Sequence, residues 1–324
     1  MERGPAGEQH TAFLGTPGAL IERSNASGFR YYAHKANDAE GRPRERYVAG
    51  PVGGAEADQV AAGLRERIRE VKEQVPRIKL LGREGYALAD PRAYATLAAL
   101  HNSGFFSAGG VLVGSHAYGV VLNRLGVRAA PYATHDVDLA RATALALAAP
   151  VLLLDVLRGS GLALAEVPPL DRKAPSTSYK LPGRDAFRVD LLAPARDDGD
   201  GVVRVPELGA HATALPLLGY LLAESQSAMV MYREGCCAVR VPVPERFAIH
   251  KLLVSQLRRG DAKSRKDLEQ AATLAAALAD LTPGALATAR AAVPRRAAKL
   301  LRAGTAAIAA LLAGAPRAWE ELGA

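Results

Sequence analysis

Cysteine is nearly absent from this chain. There are two, and they are neighbours, Cys236 and Cys237. Adjacent cysteines bridge each other only with strain, and no second pair supplies the spacing of a zinc site. A disulfide framework and a cysteine-based zinc centre are excluded, and a reducing, cytoplasmic setting is expected. Aromatic residues are scarce as well, 5% of the chain with a single tryptophan. Long apolar runs are missing. The most apolar stretch, residues 142–157, contains Pro150 and Asp155 and is too short to cross a bilayer. It predicts a buried helix over residues 141–158 beside a sheet, and no membrane association. The opening Met-Glu-Arg-Gly-Pro has no apolar segment of the kind a secretory signal needs.

What remains is ample material for a core, with 49% hydrophobic residues, and a net charge of +8 that is unevenly placed. Residues 246–302 hold twelve Lys and Arg against four Asp and Glu, while the rest of the chain is balanced at 29 of each. A basic segment of this kind is the electrostatic footprint of RNA or of a triphosphate. It is equally the pattern of a solvated helical face, because almost no aromatic residues interleave with the cations.

The most informative residues are three aspartates in strand-like settings. Asp136 and Asp138 lie in Thr-His-Asp-Val-Asp-Leu (134–139), and Asp190 lies in Phe-Arg-Val-Asp-Leu-Leu (187–192). Aspartate is depleted in strands, so two such strands require a reason. Residues two apart in a strand share one side, roughly 6.5–7 Å apart. Asp136 and Asp138 therefore face one way, with Val137 and Leu139 facing the other. If the Asp190 strand pairs nearby, three carboxylates converge, and hard divalent cations with oxygen ligands are what relieves such a cluster. Upstream, Gly-Gly-Val-Leu-Val-Gly-Ser-His-Ala-Tyr-Gly (109–119) reads as a buried strand that ends at Gly114-Ser115 and enters a helix. The amides at such a helix start attract phosphate, and glycine permits close approach.

At these residues the chain resembles the DNA polymerase β-like nucleotidyltransferase superfamily. More narrowly, it is similar to bacterial nucleotidyltransferase-like proteins that carry Val-Gly-Ser-His-Ala and Asp-Val-Asp-Leu-Ala, related to the abortive-infection and toxin nucleotidyltransferases. The similarity runs from the hairpin at residues 30–50 to about Ala272. The resemblance implies that Asp136, Asp138 and Asp190 bind two magnesium ions and carry the catalysis. It implies that Gly114 and Ser115 hold the triphosphate of an NTP, with Lys251 matching a lysine that contacts the triphosphate; Thr134, by alternation, shares the aspartate side of its strand, where it would touch the nucleotide. The implied reaction moves an NMP to an acceptor with release of pyrophosphate. RNA, tRNA in particular, is the favoured acceptor; a protein side chain or an aminoglycoside-type small molecule is the alternative. An antitoxin partner and a non-enzymatic nucleic-acid-binding protein on the same fold are further alternatives. One departure stands out: residues 116–135 separate Ser115 from Asp136, where many superfamily members have about ten residues. The excess reads as a helix followed by a loop over residues 123–132.

The expected architecture is α/β (mixed α+β): a mixed sheet with flanking helices, an N-terminal β-hairpin arm and a helical C-terminal region. The expected divisions are a loose terminus at 1–28, a hairpin-and-helix arm at 29–85, a nucleotidyltransferase core at 86–244 and helices over 245–324. Within the arm, two runs around Asn-Asp-Ala-Glu-Gly (37–41) predict a hairpin. A helix over residues 56–75 should end or kink at Pro76. Asp90-Pro91 predicts the start of a helix over 91–103. A second hairpin is predicted across Arg-Glu-Gly (233–235). The acidic turn Asp-Asp-Gly-Asp (197–200) has the wrong spacing for a calcium loop.

Residues 245–259 form an amphipathic helix whose apolar stripe is Ile249, Leu252, Leu253 and Leu257. Lys251, Ser255 and Arg258 share another face, which makes Lys251 either a phosphate ligand or a solubility lysine. A second helix begins at Asp261 and carries Lys263, Lys266, Asp267 and Gln270 on one face; Asp267 matches the Lys/Arg-Asp pair of the toxin branches. His116 either donates to a phosphate or packs at the helix start, and His135 faces away from Asp136. Ser176, Ser178 and Lys180 line the site or belong to a polar loop. Glu166 and Asp171 read as surface residues. Tyr31, Tyr32 and Tyr47 either stack on bases or pair across the hairpin.

Overall fold

The computed structural model describes residues 11–128, 135–169, 171, 174–195, 201–258 and 261–323. The chain opens with a three-stranded antiparallel sheet, β1 (Ala19–Ser24), β2 (Arg30–Asn37) and β3 (Pro43–Ala49), in that order. The predicted hairpin is β2–β3. The stretch before it is not loose as expected: β1 pairs along β2 from Ala19↔Lys35 to Ser24↔Arg30. The apolar pair Leu20-Ile21 and the turn at Asn25, whose side-chain oxygen accepts from Ser27 and Phe29 amides, account for that strand. Helix α1 (Ala55–Arg83) packs on the inner face, where Tyr32, Ala57 and Ala61 make a small core. It runs through Pro76 instead of stopping there. Pro76 is exposed, so the ring and the Lys72 carbonyl it leaves without a helical donor both face water. The buried stripe of Ile68, Val75 and Ile78 continues past it.

Helix α2 (Pro91–Asn102) starts as predicted: Asp90 accepts hydrogen bonds from the amides of Arg92 and Ala93, and Pro91 occupies the first turn. It leads to β4 (Val111–Val113), α3 (Gly114–Arg124), β5 (Asp136–Ala140), α4 (Leu153–Arg158), β6 (Ala165–Glu166), β7 (Ser178–Lys180), β8 (Arg188–Pro194), β9 (Gly201–Val205), β10 (Ala210–Leu215), α5 (Leu218–Leu222), β11 (Ser225–Tyr232) and β12 (Gly235–Pro242). The sheet order is β4-β5-β8-β10-β9. Strands β5, β8 and β10 are parallel, and β4 and β9 run against them. The short β7 lies antiparallel to the first half of β8, ahead of where β10 takes over, and carries β6 beside it. This is the mixed sheet expected. The β11–β12 hairpin turns at Arg233-Glu234, also as expected.

The helix expected over 141–158 is confined to α4. The segment before it is held extended by specific hydrogen bonds: the amide of Arg141 to the Leu192 carbonyl, Leu145 to the Glu207 carboxylate, Ala146 to the Ala108 carbonyl, and Val151 to the Glu207 carbonyl. Arg141 closes the arrangement with a 3.0 Å ion pair to Glu207. Alanine-rich helix propensity is a weak preference of a few tenths of a kcal/mol per residue, and tertiary partners override it here. The C-terminal region is helical as expected: α6 (Pro244–Ser255), α7 (Asp261–Leu281), α8 (Ala285–Ala291), α9 (Ala298–Ile308) and α10 (Pro316–Glu321). Its buried Phe247, Ile249, Leu274 and Leu286 belong to the same apolar cluster as the sheet residues Leu112, Val137 and Leu191. The helices therefore share one core with the sheet, linked through α5, which packs on both α6 and β8, and this brings the basic segment to the aspartates.

Candidate active site

The site begins where β4 ends. Val111, Leu112 and Val113 are buried, and the chain turns at Gly114 with φ of +69°. A Cβ built on Gly114 would collide with Oδ2 of Asp138, so both the backbone angle and the closeness of that carboxylate demand glycine. Helix α3 starts there without a side-chain cap. Its first amides are therefore available to an anion.

Register then assembles a small grid on one side of the sheet. Asp136 stands beside Arg188, and Asp138 beside Asp190, on the parallel pair β5–β8. On the far side of β8, Lys180 stands beside Arg188 and Ser178 beside Asp190. On the near side of β5, Val113 stands beside Asp138. Adjacent strands are about 4.8 Å apart, so the three aspartates are close neighbours. The alternate residues Val137, Leu139, Val189 and Leu191 are buried in the core on the other side.

The electrostatics follow from that crowding. Burial pushes the Asp138 carboxyl up to about 7, and the charges of Asp190 and Asp136 push the same way, against the pull of Lys251 and Arg258. Among the described residues no three carboxylates, imidazoles or thiols are drawn around one point as a ready-made metal cage. Cations of the chain itself hold the acidic groups instead. Arg188 donates from Nε to Asp190 Oδ1 at 2.6 Å and from Nη2 to Ser178 Oγ at 2.7 Å. The Asp136 charge acts on Lys266, whose Nζ donates to Ser115 Oγ at 2.9 Å. The donor set is nonetheless the one a hard divalent cation takes: carboxylate oxygens, one of them held unusually protonated by burial and by the charges beside it. A cation placed among them would relieve the repulsion that raises Asp138.

Lys251 is not a solubility lysine. It is 6% exposed and donates to Oδ1 of Asp267, itself 2% exposed, at 2.7 Å. Arg258 brings Nε to 2.6 Å from Oδ2 of the same carboxylate, off the line of a proper hydrogen bond. Burial lowers the Lys251 pKa, and Asp267 opposes it by charge and hydrogen bond. Lys266 is lowered too, by burial first and then by Lys251. Three cations from α6, α7 and their connection thus face Ser115 and the aspartates. Lys263, by contrast, is exposed.

The other expected residues sort plainly. Thr134 lies outside the described residues, as do 129–133 of the long connection and the acidic turn at 197–200. His116 packs at the start of α3, with its Nε2 buried and without a hydrogen-bond partner; burial lowers its pKa. Ser176 is engaged in a local turn with Ser178. Glu166 and Asp171 are exposed. Tyr32 is buried and donates to Asp58, so it is not available to a base. Next to the grid lies a cleft of about 940 Å³, walled by Ser115, His116 and His135 on one side and by the β2–β3 turn on the other. Arg188, Arg258 and Lys266 are the residues that sequence reasoning passed over or ranked low. The alternation Arg-Val-Asp already puts Arg188 on the side of Asp190; nothing local in the sequence ties Lys266 to Ser115, 151 positions away.

A strand ending in Gly-Ser, an Asp-x-Asp strand and a third aspartate in register with the second are arranged as the nucleotidyltransferase resemblance implies. A family model described as Nucleotidyltransferase matches residues 92–294, more than half of the chain. The chain belongs to that nucleotidyltransferase family. The match starts at the first turn of α2 and extends past Ala272, so it leaves out the β1–β2–β3 sheet and includes α8. No curated protein and no solved structure matches the chain. Among the described residues no helix is long and apolar enough to cross a membrane.

Proposed function

We propose that the protein transfers a nucleoside monophosphate from an NTP to an acceptor hydroxyl and releases pyrophosphate, with RNA, tRNA in particular, the favoured acceptor. The observation that carries this reading is the register Asp138↔Asp190 directly beside the Gly114 turn. It sets the carboxylates against the helix start that would receive the phosphates. In the reaction the acceptor oxygen bonds to the α-phosphorus, the bond to the β-phosphate bridge breaks, and the acceptor loses its proton. Asp136, Asp138 and Asp190 are the residues that would hold two magnesium ions. Bound there, such ions neutralise phosphate oxygens and align attacking and leaving groups.

The chain's own groups have separable tasks. The amides of Gly114 and Ser115 and the first turn of α3 bind the triphosphate. Lys266, already on the Ser115 hydroxyl, and Lys251 with Arg258 stand where charge grows as pyrophosphate leaves. Asp267 orients Lys251. Asp190, with one oxygen on Arg188, is placed to accept the acceptor's proton once that contact loosens. The cleft beside Ser115 gives room for nucleoside or acceptor. The excess of cations in residues 246–302 supports a polyanionic acceptor.

The test offers each of the four labelled NTPs with magnesium to bulk tRNA, total protein, aminoglycosides and the protein itself. Transfer to tRNA that disappears in Asp138→Ala is expected. RNA binding indifferent to magnesium and to Asp138→Ala, with no transfer to any acceptor, would establish a binding protein on this fold and defeat the proposal.

A further inference from the structure

The N-terminal sheet carries a feature the catalytic reading leaves unused. Phe29, Tyr31 and Tyr47 form a row on its outer face, with ring centroids 6.4 Å apart for the first pair and 5.6 Å for the second. Phe29 is 40% exposed and Tyr47 63% exposed, the two most exposed aromatic side chains among the described residues. In a chain this poor in aromatics most of the other described rings are spent in the core: Tyr94, Tyr179, Phe105, Phe187 and Phe247 are all fully buried. The row is also held in place. A Cβ on Gly50 would come within 3.0 Å of the Phe29 ring and of the Tyr31 Cβ, so the bare backbone there is the floor on which the Phe29 ring lies. Tyr31 shares its side of β2 with Lys35, while the neighbouring Tyr32 faces α1. Arg23 stands in register with Tyr31 and is tied to Glu45 at 2.7 Å.

Exposed rings beside cations have two natural occupants. A protein partner needs an interface of about 800 Å² per side, and three rings bordered by Arg23, Lys35 and Glu45 are far smaller than that. Unpaired nucleobases need only a π-face each and a nearby positive charge for the backbone. Residues 19–49 carry six Lys and Arg against four Asp and Glu, the sign a phosphate backbone prefers. The hairpin also leads to the reaction cleft. Its turn, residues 38–42, lines the cleft opposite Ser115. Tyr31 to Asn37 spans six residues, roughly 20 Å of strand. A strand stacked on the rings has a direct route along β2–β3 to the grid of aspartates.

We propose that the row Phe29–Tyr31–Tyr47 is a stacking platform for a single-stranded RNA segment, which it holds as its end enters the cleft. The entry of that end rests on the transfer reading; the stacking does not. The platform binds RNA with or without NTP, prefers single strands to duplex, and has little preference for base sequence.

The full chain is titrated, without NTP, against a fluorescein-labelled single-stranded RNA of about 12 nucleotides, within the ~4–16 that such platforms occupy, and against the same sequence as a duplex. Removing one stacked base should weaken single-strand binding by about 5- to 150-fold in Tyr47→Ala. Tyr47→Phe should stay within about twofold of the parent, since it keeps the π-face. Phe29→Ala should lose affinity in the same direction. Tyr47 is too exposed to be needed for folding, and equal melting temperatures for the parent, Tyr47→Ala and Tyr47→Phe confirm that. Single-strand binding unchanged in both Tyr47→Ala and Phe29→Ala, or equal binding of duplex and single strand, overturns the proposal. A failed transfer assay with ring-dependent RNA binding would leave the platform standing and remove only the proposed chemistry.

Discussion

The buried pair Lys251–Asp267 offers the sharpest perturbation. In Asp267→Ala the Lys251 ammonium stays inside, with the Phe247 ring 5.5 Å from Nζ and its carboxylate partner gone. Breaking a buried ion pair from one side costs about 3–5 kcal/mol, because the remaining charge is stranded. Arg258, with a side chain 42% exposed, can turn to water and adds little to that figure. Replacing both partners in Lys251→Met/Asp267→Leu should recover most of the loss, because the desolvation of both charges disappears together. The pH dependence gives a second handle. Burial already holds the Lys251 pKa below its ordinary 10.5, and Asp267 is the main group opposing that. Without Asp267 it falls further. A base depressed in the folded state binds its proton less readily there than in the unfolded chain, so stability is lost as pH falls through that interval and regained as pH rises toward 10.5. The Asp267→Ala deficit should therefore shrink in alkaline buffer. Urea unfolding followed by circular dichroism, repeated from neutral to alkaline pH, measures all three quantities. A deficit under about 1 kcal/mol, far short of what a stranded buried charge requires, would refute the reasoning. So would a double variant no more stable than the single one.

Gly114→Ala should cost stability by about 1–3 kcal/mol from the left-handed backbone alone, and should lower NTP affinity further because the new methyl displaces the Asp138 carboxylate; unchanged NTP affinity in a titration would contradict the placement of that carboxylate. In chelator, the chain should lose stability as pH rises from about 4 toward 7, by up to about 1.4 kcal/mol per pH unit. Over that range Asp138, pushed up to about 7, keeps a proton that the unfolded chain has released. Asp138→Asn should flatten that slope in melting curves, and an identical slope would mean that Asp138 is not a buried carboxyl held protonated beside Asp190 and Asp136.

How much of this was legible beforehand depends on the range of the signal. Alternation in Asp-Val-Asp-Leu and Arg-Val-Asp-Leu places the aspartates on strands and on one side, and the structure has them there. The cap at Asp90-Pro91 and the two hairpins rest on local chemistry of the same kind. The failures are all cases where distant partners decide. Residues 141–152 look helical, and the carbonyls of Leu192, Ala108 and Glu207 with the Glu207 carboxylate hold them extended. Pro76 looks like a stop, and packing of the buried stripe of α1 carries the helix past it. For Lys251 the helical wheel leaves a phosphate ligand and a solubility lysine both open, and only the packing of α7, which brings Asp267 over it, shows that it is buried. Register across β5–β8 is likewise invisible locally, because nothing in either strand says which residue of one meets which residue of the other.

The three aspartates and the cations around them suggest how the site remains intact before a substrate arrives. Three carboxylates with no counter-charge would repel, and Asp138, held up first by burial and then by the charges of Asp190 and Asp136, keeps its proton. The chain limits this by lending Arg188 to Asp190 and by setting Lys266, Lys251 and Arg258 within reach of the field of Asp136 and Asp138. On the proposed reading, an incoming magnesium–triphosphate is itself an anion paired with cations. The phosphates would meet Lys266 and the field of Lys251 and Arg258, while Asp267 keeps Lys251 in place, and Asp136, Asp138 and Asp190 would hold the metal ions. The carboxylates would gain the counter-charge they lack, and the phosphates would gain cations already held in position. Binding then selects for a ligand that presents both signs at once, in the order the grid expects them. A bare phosphate chain would find the cations but leave the carboxylates to Arg188, and should bind far more weakly than the same chain with its metal.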